Sequence, residues 1–285
     1  MKGLRNMTIP IDLPRPIESM ALPMAMNGNT GSNRAQTDAK KQIEANDDMA
    51  AIQAWLAEFR DSPQTLRHYR KEAERLLLWA LIERGKPLSS LSREDCLLYE
   101  DFLANPEPHE RWCGPKVPRN HPGWRPFLGP LNPPSRRTAL LVINSLFSYL
   151  VKAGYLSGNP LALLKRRGRK GSHKQQQIER FLEQDQWQFV LDTVEMMRRD
   201  TDRDRRHYYR ARYLLALLYL LGPRVSEIAG STMGSMIEVR GRWWWFVTGK
   251  GGKQAKVPVN TDMIRALQEY RLSYGLSPMP APTET

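Results

Sequence analysis

The chain has 285 residues, a length that suggests two domains of roughly 100–200 residues each. Hydrophobic residues make up 41%, enough for a core, while 43 Lys and Arg against 30 Asp and Glu leave a net charge of +13. That surplus favours a polyanionic partner, because each cation that neutralises a phosphate releases a counterion, with an inert basic surface as the alternative.

Cys96 and Cys113 are the only cysteines. They exclude a disulfide framework and a Cys/His zinc site and fit a reducing cytoplasm. No apolar run approaches the roughly 20 residues of a membrane helix. Met1–Pro10 carries Lys2 and Arg5 with no apolar stretch behind them, so no signal peptide is expected.

Residues 1–45 read as a disordered arm, because Pro10, Pro14, Pro16 and Pro23 interrupt helices and Asn27–Ser32 has turn chemistry. Helical spacing begins near Asp47 with Ala51, Trp55 and Phe59. Asp61-Ser62-Pro63 then starts a helix whose apolar stripe is Leu66, Tyr69, Ala73, Leu76, Leu77 and Ala80, closed by Gly85. Arg67, Arg70, Lys71 and Arg75 lie mostly off that stripe, as phosphate contacts or as a solvated face. A third helix is expected over Arg93–Ala104.

Residues 105–134 carry nine prolines and read as a long irregular loop. Its Trp112, Trp124 and Phe127 either stack on bases or pin the loop to the domain. A fourth helix starts at Ser135, with Arg136 and Arg137 in its first turn, and ends near Gly154. Asn159-Pro160 breaks the chain. The basic tract Lys165, Arg166, Arg167, Arg169 and Lys170 is a phosphate binder or a solvated hinge.

A second domain opens near Ile178. Gln184–Met197 is helical, with Trp187, Val190, Leu191 and Val194 spaced for burial. Asp200–Arg206 is expected to be a solvated turn, and Tyr213–Leu221 a helix at the domain centre. Three short strands follow, at Met236–Val239, Trp243–Val247 and Lys256–Val259, with glycine turns between them, before a helix over Thr261–Tyr274.

Two features carry chemistry. Gly222-Pro223 must interrupt the preceding helix, so Arg224 stands where a new element starts, with Glu227 one turn on. A guanidinium fixed there either grips a phosphate bidentately or pairs with Glu227 to lock two helices. Lys250 lies at the tip of a glycine-rich hairpin, Gly249-Lys250-Gly251-Gly252-Lys253. Those glycines allow close backbone approach to DNA, and the lysine is either a proton donor to a leaving oxygen or a solvated tip. Without Ser or Thr at the required place the segment is not a Walker A loop.

Gly222-Pro223-Arg224-Val225-Ser226-Glu227, then Gly249–Lys253, then Val257-Pro258, in this order and spacing, resembles the tyrosine recombinases of the phage-integrase family. The helices ending in Tyr149–Leu156 and Asn159-Pro160 resemble that family's core-binding domain. The resemblance covers about residues 48–275. Pro223 departs from the apolar residue usual in the family, with a modest effect expected because Gly222 already ends the helix.

The resemblance implies a mainly α protein: a disordered arm (1–45), an all-α SAM-like core-binding domain (46–160), a basic linker (161–177) and an incomplete α+β catalytic domain with a small three-stranded antiparallel sheet (178–285). It implies that Arg224 is the first of two arginines on the scissile phosphate, that Glu227 orients it, and that Lys250 protonates the leaving 5′ oxygen. Arg67, Arg70, Lys71, Arg136, Arg137, the basic tract and Lys253 are the candidate DNA contacts. No metal or other cofactor is implied. The implied partner is double-stranded DNA rather than a membrane, engaged by a tetramer on two duplexes, in the cytoplasm at the nucleoid.

The family's His-x-x-Arg motif and nucleophilic tyrosine do not follow Lys250: all five histidines precede it, and Tyr270 and Tyr274 fall on the next helix as packing residues. The expectation is a recombinase front part that binds DNA without cleaving it. Alternatives are a catalytic recombinase shown without its tail and a DNA-binding regulatory module that never cut DNA.

Overall fold

The computed structural model describes residues 13–20, 22–36, 40–163, 182–282 and 284–285. The chain divides into two units, Met1–Lys170 and Gly171–Thr285. The basic tract at 165–170 lies outside the described residues.

The first unit is helical. Helix α1, Asp48–Ala57, starts where the Asp47 carboxylate accepts Ala50 N, which satisfies one of the orphan amides of the first turn. Helix α2, Pro63–Ile82, has proline in its first turn, where no amide is needed. Helix α3, Arg93–Ala104, opens on a reciprocal Ser92–Asp95 capping box. A single turn α4, His109–Trp112, interrupts the long loop, and α5, Pro133–Lys152, is capped by Asn132. Gly85 and Gly154 follow α2 and α5 at positive φ, as helix-ending glycines do.

The core joins Ile52, Trp55, Leu76, Leu77, Leu81, Leu88, Tyr99, Leu103, Ile143, Leu146, Phe147 and Leu150. Trp55 stacks on Tyr69 at 5.1 Å, so the apolar spacing read in the first two helices meets face to face.

Helix α2 departs from the expected amphipathic stripe: Glu72 to Leu81 is buried all round. Two segments close over its polar side. The first is the amino-terminal segment, expected to be disordered. Part of it packs on the core, with Ile17 buried and Met20, Leu22 and Met26 half-buried against it. Ile17 N donates to Glu74 Oε1 at 3.1 Å, and Ala35 N and Gln42 N donate to the carbonyls of Tyr155 and Ala153. These bonds satisfy backbone that water would otherwise serve.

The second is the 105–134 loop. Trp112 and Phe127 are buried, and the Trp112 indole N–H donates to Glu83 Oε1 at 2.8 Å. Those two aromatics therefore pin the loop, and no base can reach them.

In the second unit, α6 spans Gln184–Glu195 and α7 spans Asp202–Ala216. Helix α7 runs on as a π-helical turn, Leu217–Leu221, until Gly222 ends it at φ 58°. Helix α8, Val225–Ala229, precedes strands β1 (Met236–Val239), β2 (Arg242–Thr248) and β3 (Gln254–Pro258), and α9 covers Thr261–Ser273. The strands form an antiparallel sheet in the order β1-β2-β3, with Trp245 facing Met236 and Val257. Tyr213, Leu217, Met236, Trp245, Val247, Val259, Met263 and Leu267 make the core.

Two expectations change. The Asp200–Arg206 run is not a solvated turn: Thr201 caps α7 in a capping box with Asp204, and the run forms its first turns. The Tyr213–Leu221 stretch is not buried all round. Only Tyr213 and Leu217 are buried, and Tyr219 is 67% exposed. Helix α9 and the sheet cover one side of it. On the other side Trp187 of α6 stacks on Tyr219 at 4.9 Å, which leaves the face of α6 half-buried rather than buried.

Among the described residues no helix is long and apolar enough to cross a membrane.

Candidate functional site

The left-handed Gly222 turns the chain out of the π-helical turn, and Pro223 cannot continue a helix. Arg224 therefore stands at the N-cap of α8 in extended conformation. Its amide donates to Glu227 Oε2 at 2.8 Å and its Nη1 donates to Glu227 Oε1 at 2.6 Å. One carboxylate thus fixes both the backbone and the head group of the arginine. The Arg224 side chain is 71% exposed, whereas that of Glu227 is 9% exposed.

Hydrogen bonds from the Arg224 amide and guanidinium hold the Glu227 carboxyl below the usual glutamate range, so it stays ionised. The pair spans a single turn of one short helix and, among the described residues, locks no second helix. What it does is aim a partly engaged guanidinium outward, with donors left for an oxyanion.

The glycine-rich turn meets this pair. A Cβ built on Gly249 would lie 3.3 Å from Glu227 Oε1 and 3.9 Å from Arg224 Nη1. Glycine is what permits that approach. Gly249 N donates to Lys253 O at 2.7 Å, and Gly251 and Gly252 take positive φ, closing the turn over Lys250–Gly252. The backbone of Lys250, the next residue in the chain, is thereby held beside Arg224. Lys253 leaves the turn exposed.

The other predicted contacts belong to the first unit. Arg67 and Lys71 are exposed on α2; Lys71 Nζ lies 3.2 Å from Glu72, and Arg70 lies 3.7 Å from Glu18. Arg137 is exposed on α5, whereas Arg136 is half-buried and its Nε has no partner among the described residues. Arg75 is not available to a phosphate: it is buried, its Nε donates to Pro126 O at 2.9 Å, and its Nη1 lies 3.2 Å from Glu72.

One cation escaped the sequence reading. Lys256 of β3 lies over the Trp244 ring at 4.4 Å. Strand alternation was the signal: Trp243, Trp244 and Trp245 cannot all face the core.

No protein-family model matches the chain. It is 27% identical over 229 residues to a tyrosine recombinase XerC of Pelobacter propionicus, covering 78% of this chain and 61% of that protein. It is 32% identical over 154 residues to a tyrosine recombinase XerC of Myxococcus xanthus, covering 53% of this chain and 47% of that protein. The chain thus spans less than two thirds of the length of these relatives. Among solved structures, a XerH site-specific recombinase bound to a palindromic difH substrate, in a post-cleavage complex, superposes with a TM-score of 0.53 at 14% identity. It covers 84% of this chain and 61% of that one, a likeness of fold.

Proposed function

We propose that the chain is a member of the tyrosine recombinase family, as its similarity to the XerC proteins supports, and that it engages duplex DNA as part of a site-specific recombinase, with Arg224 on a backbone phosphate. The observation that carries this reading is the outward guanidinium of Arg224, anchored by Glu227 and flanked by the glycine turn that bears Lys250. A guanidinium presents its donors in a fork that matches two phosphate oxygens. Glu227, ionised and bonded to the amide and Nη1 of Arg224, positions it. Lys250, on a turn that glycine lets come close to DNA, supplies a proton to the leaving 5′ oxygen.

Cleavage by the family's chemistry needs a tyrosine free to attack phosphorus. Tyr270 is stacked on Tyr213 at 4.9 Å, and Tyr274 packs edge-on against Tyr270 at 5.2 Å. Neither of these two tyrosines is therefore free to attack, and the reading for these 285 residues is DNA binding rather than formation of a phosphotyrosyl link. Residues 46–160 serve as the core-binding domain and 178–285 as the phosphate-gripping part of the catalytic domain. Arg67, Lys71 and Arg137 add phosphate contacts from the first.

The test is equilibrium binding to duplex DNA by the wild type, Arg224→Lys and Arg224→Ala. A backbone contact predicts that alanine weakens binding to every duplex sequence alike and that lysine, a point charge without the fork, recovers part of it. Unchanged affinity in a folded Arg224→Ala variant refutes the reading.

A further inference from the structure

The small sheet has two unlike faces. Side chains of Met236, Trp245 and Val247 enter the core. Directly paired residues share a face, so the register places Ile237 and Val239 of β1, Arg242, Trp244, Phe246 and Thr248 of β2, and Gln254, Lys256 and Pro258 of β3 on the other side. That face is open: Arg242, Phe246, Lys256 and Pro258 are exposed, Phe246 by 38%. It carries two aromatic rings and two cations and no carboxylate. Lys256 Nζ stands 4.4 Å from the Trp244 ring centroid and 5.6 Å from that of Phe246, a cation laid across two rings.

We propose that this outer sheet face binds single-stranded DNA, with unstacked bases on Trp244 and Phe246 and the backbone drawn in by Arg242 and Lys256. The chemistry separates the possible occupants. A duplex hides the faces of its bases and leaves the rings idle. A single strand uses rings and cations together, since every base offers a π-face to an aromatic ring and a phosphate to a cation. Trp244 and Phe246 are two residues apart on one strand face, about 7 Å along it, which gives each ring its own base. DNA rather than RNA is chosen because strand β2 leads into the turn beside Arg224. In that respect alone the proposal rests on the function proposed above.

The test uses the full chain, a labelled oligothymidylate of about 12 nucleotides, and a hairpin duplex of equal length. Wild type is expected to bind the oligothymidylate with quenching of tryptophan fluorescence. Phe246→Ala combined with Lys256→Glu is expected to weaken that binding at least about tenfold and to leave duplex binding within about twofold; both side chains face solvent, and retained duplex binding certifies the fold. Arg224→Ala is expected to do the reverse. No binding of the oligothymidylate, or an equal loss on both probes, overturns the proposal. So does self-association of the chain that the double variant abolishes, which would assign the face to a second copy. Loss of duplex binding in the wild type, with Phe246-dependent binding of the single strand intact, would instead refute the phosphate-site reading and leave this one standing.

Discussion

Replacing Asp48 with alanine should loosen the amino-terminal segment from the first unit. The Asp48 carboxylate is buried, accepts Tyr155 OH at Oδ1 (2.8 Å) and Ser89 N at Oδ2 (3.0 Å), and lies against Gly28. Ser89 Oγ in turn donates to Gly28 O at 3.0 Å. Alanine leaves two buried donors without acceptors, at about 1–3 kcal/mol each. Part of that is returned, because the ionised carboxyl no longer has to be desolvated.

A net loss of about 2–4 kcal/mol follows, or a fall of roughly 5–15 °C in Tm at about 2–4 °C per kcal/mol. Burial, the largest influence, raises the Asp48 carboxyl above its ordinary value of 3.8, against the lowering effect of the Ser89 and Tyr155 bonds. A raised folded value means that the group's stabilisation is complete below the unfolded value and is lost as pH rises through the folded one. The advantage of wild type over Asp48→Asn, which does not titrate, should therefore be larger near pH 4 than near pH 7. Calorimetry gives Tm, and hydrogen exchange at the Ser89 amide locates the change. An alanine variant melting within about 1 °C of wild type, with Ser89 exchange unaltered, would refute the reasoning.

Asp95 has the opposite sign. Burial would raise it, but bonds from Ser92 N, Lys86 and Arg84 outweigh that and hold it at about 2. Its stabilisation is present above the ordinary 3.8 and lost as pH falls through about 2. Asp95→Asn should cost about 1–2 kcal/mol near pH 5 after allowing for solvent screening of the half-exposed cations, and the gap in urea midpoint should close near pH 2; an equal gap at both would contradict this. Gly249→Val pushes a branched side chain into Glu227 and Arg224, already 3.3 and 3.9 Å from a bare Cβ. Duplex binding should fall several-fold while the first unit melts as before, and unaltered binding would contradict the close packing of the turn. On a nicked duplex the chain should yield no covalent complex, and a DNA-linked band that survives denaturing electrophoresis would contradict that.

Local chemistry carried well from sequence to structure. The helix starts at Pro63 and Arg93 and the glycines at 85, 154 and 222 depend on a few neighbouring residues, and the structure has them where their chemistry requires. The Arg224–Glu227 pair spans one turn and was legible for the same reason. Long-range closure was not legible. Nothing near Glu74 announces that Arg119 and Ile17 will both bind it, so α2 read as amphipathic and the amino-terminal segment as disordered. The packing of Gly249 on Glu227 is likewise a tertiary fact, although the glycine run marked the turn. Trp244 and Lys256 were recoverable from strand alternation, but three consecutive tryptophans drew attention to burial rather than to parity.

The most direct measurement is the salt dependence of duplex binding by the full chain, from about 50 to 200 mM monovalent salt. Each phosphate neutralised contributes about −0.9 to the slope of log K against log salt. A slope equivalent to several such contacts is expected, made shallower by about 0.9 in Arg224→Ala. A slope near zero, or one that the Arg224 variant leaves unchanged, would contradict it.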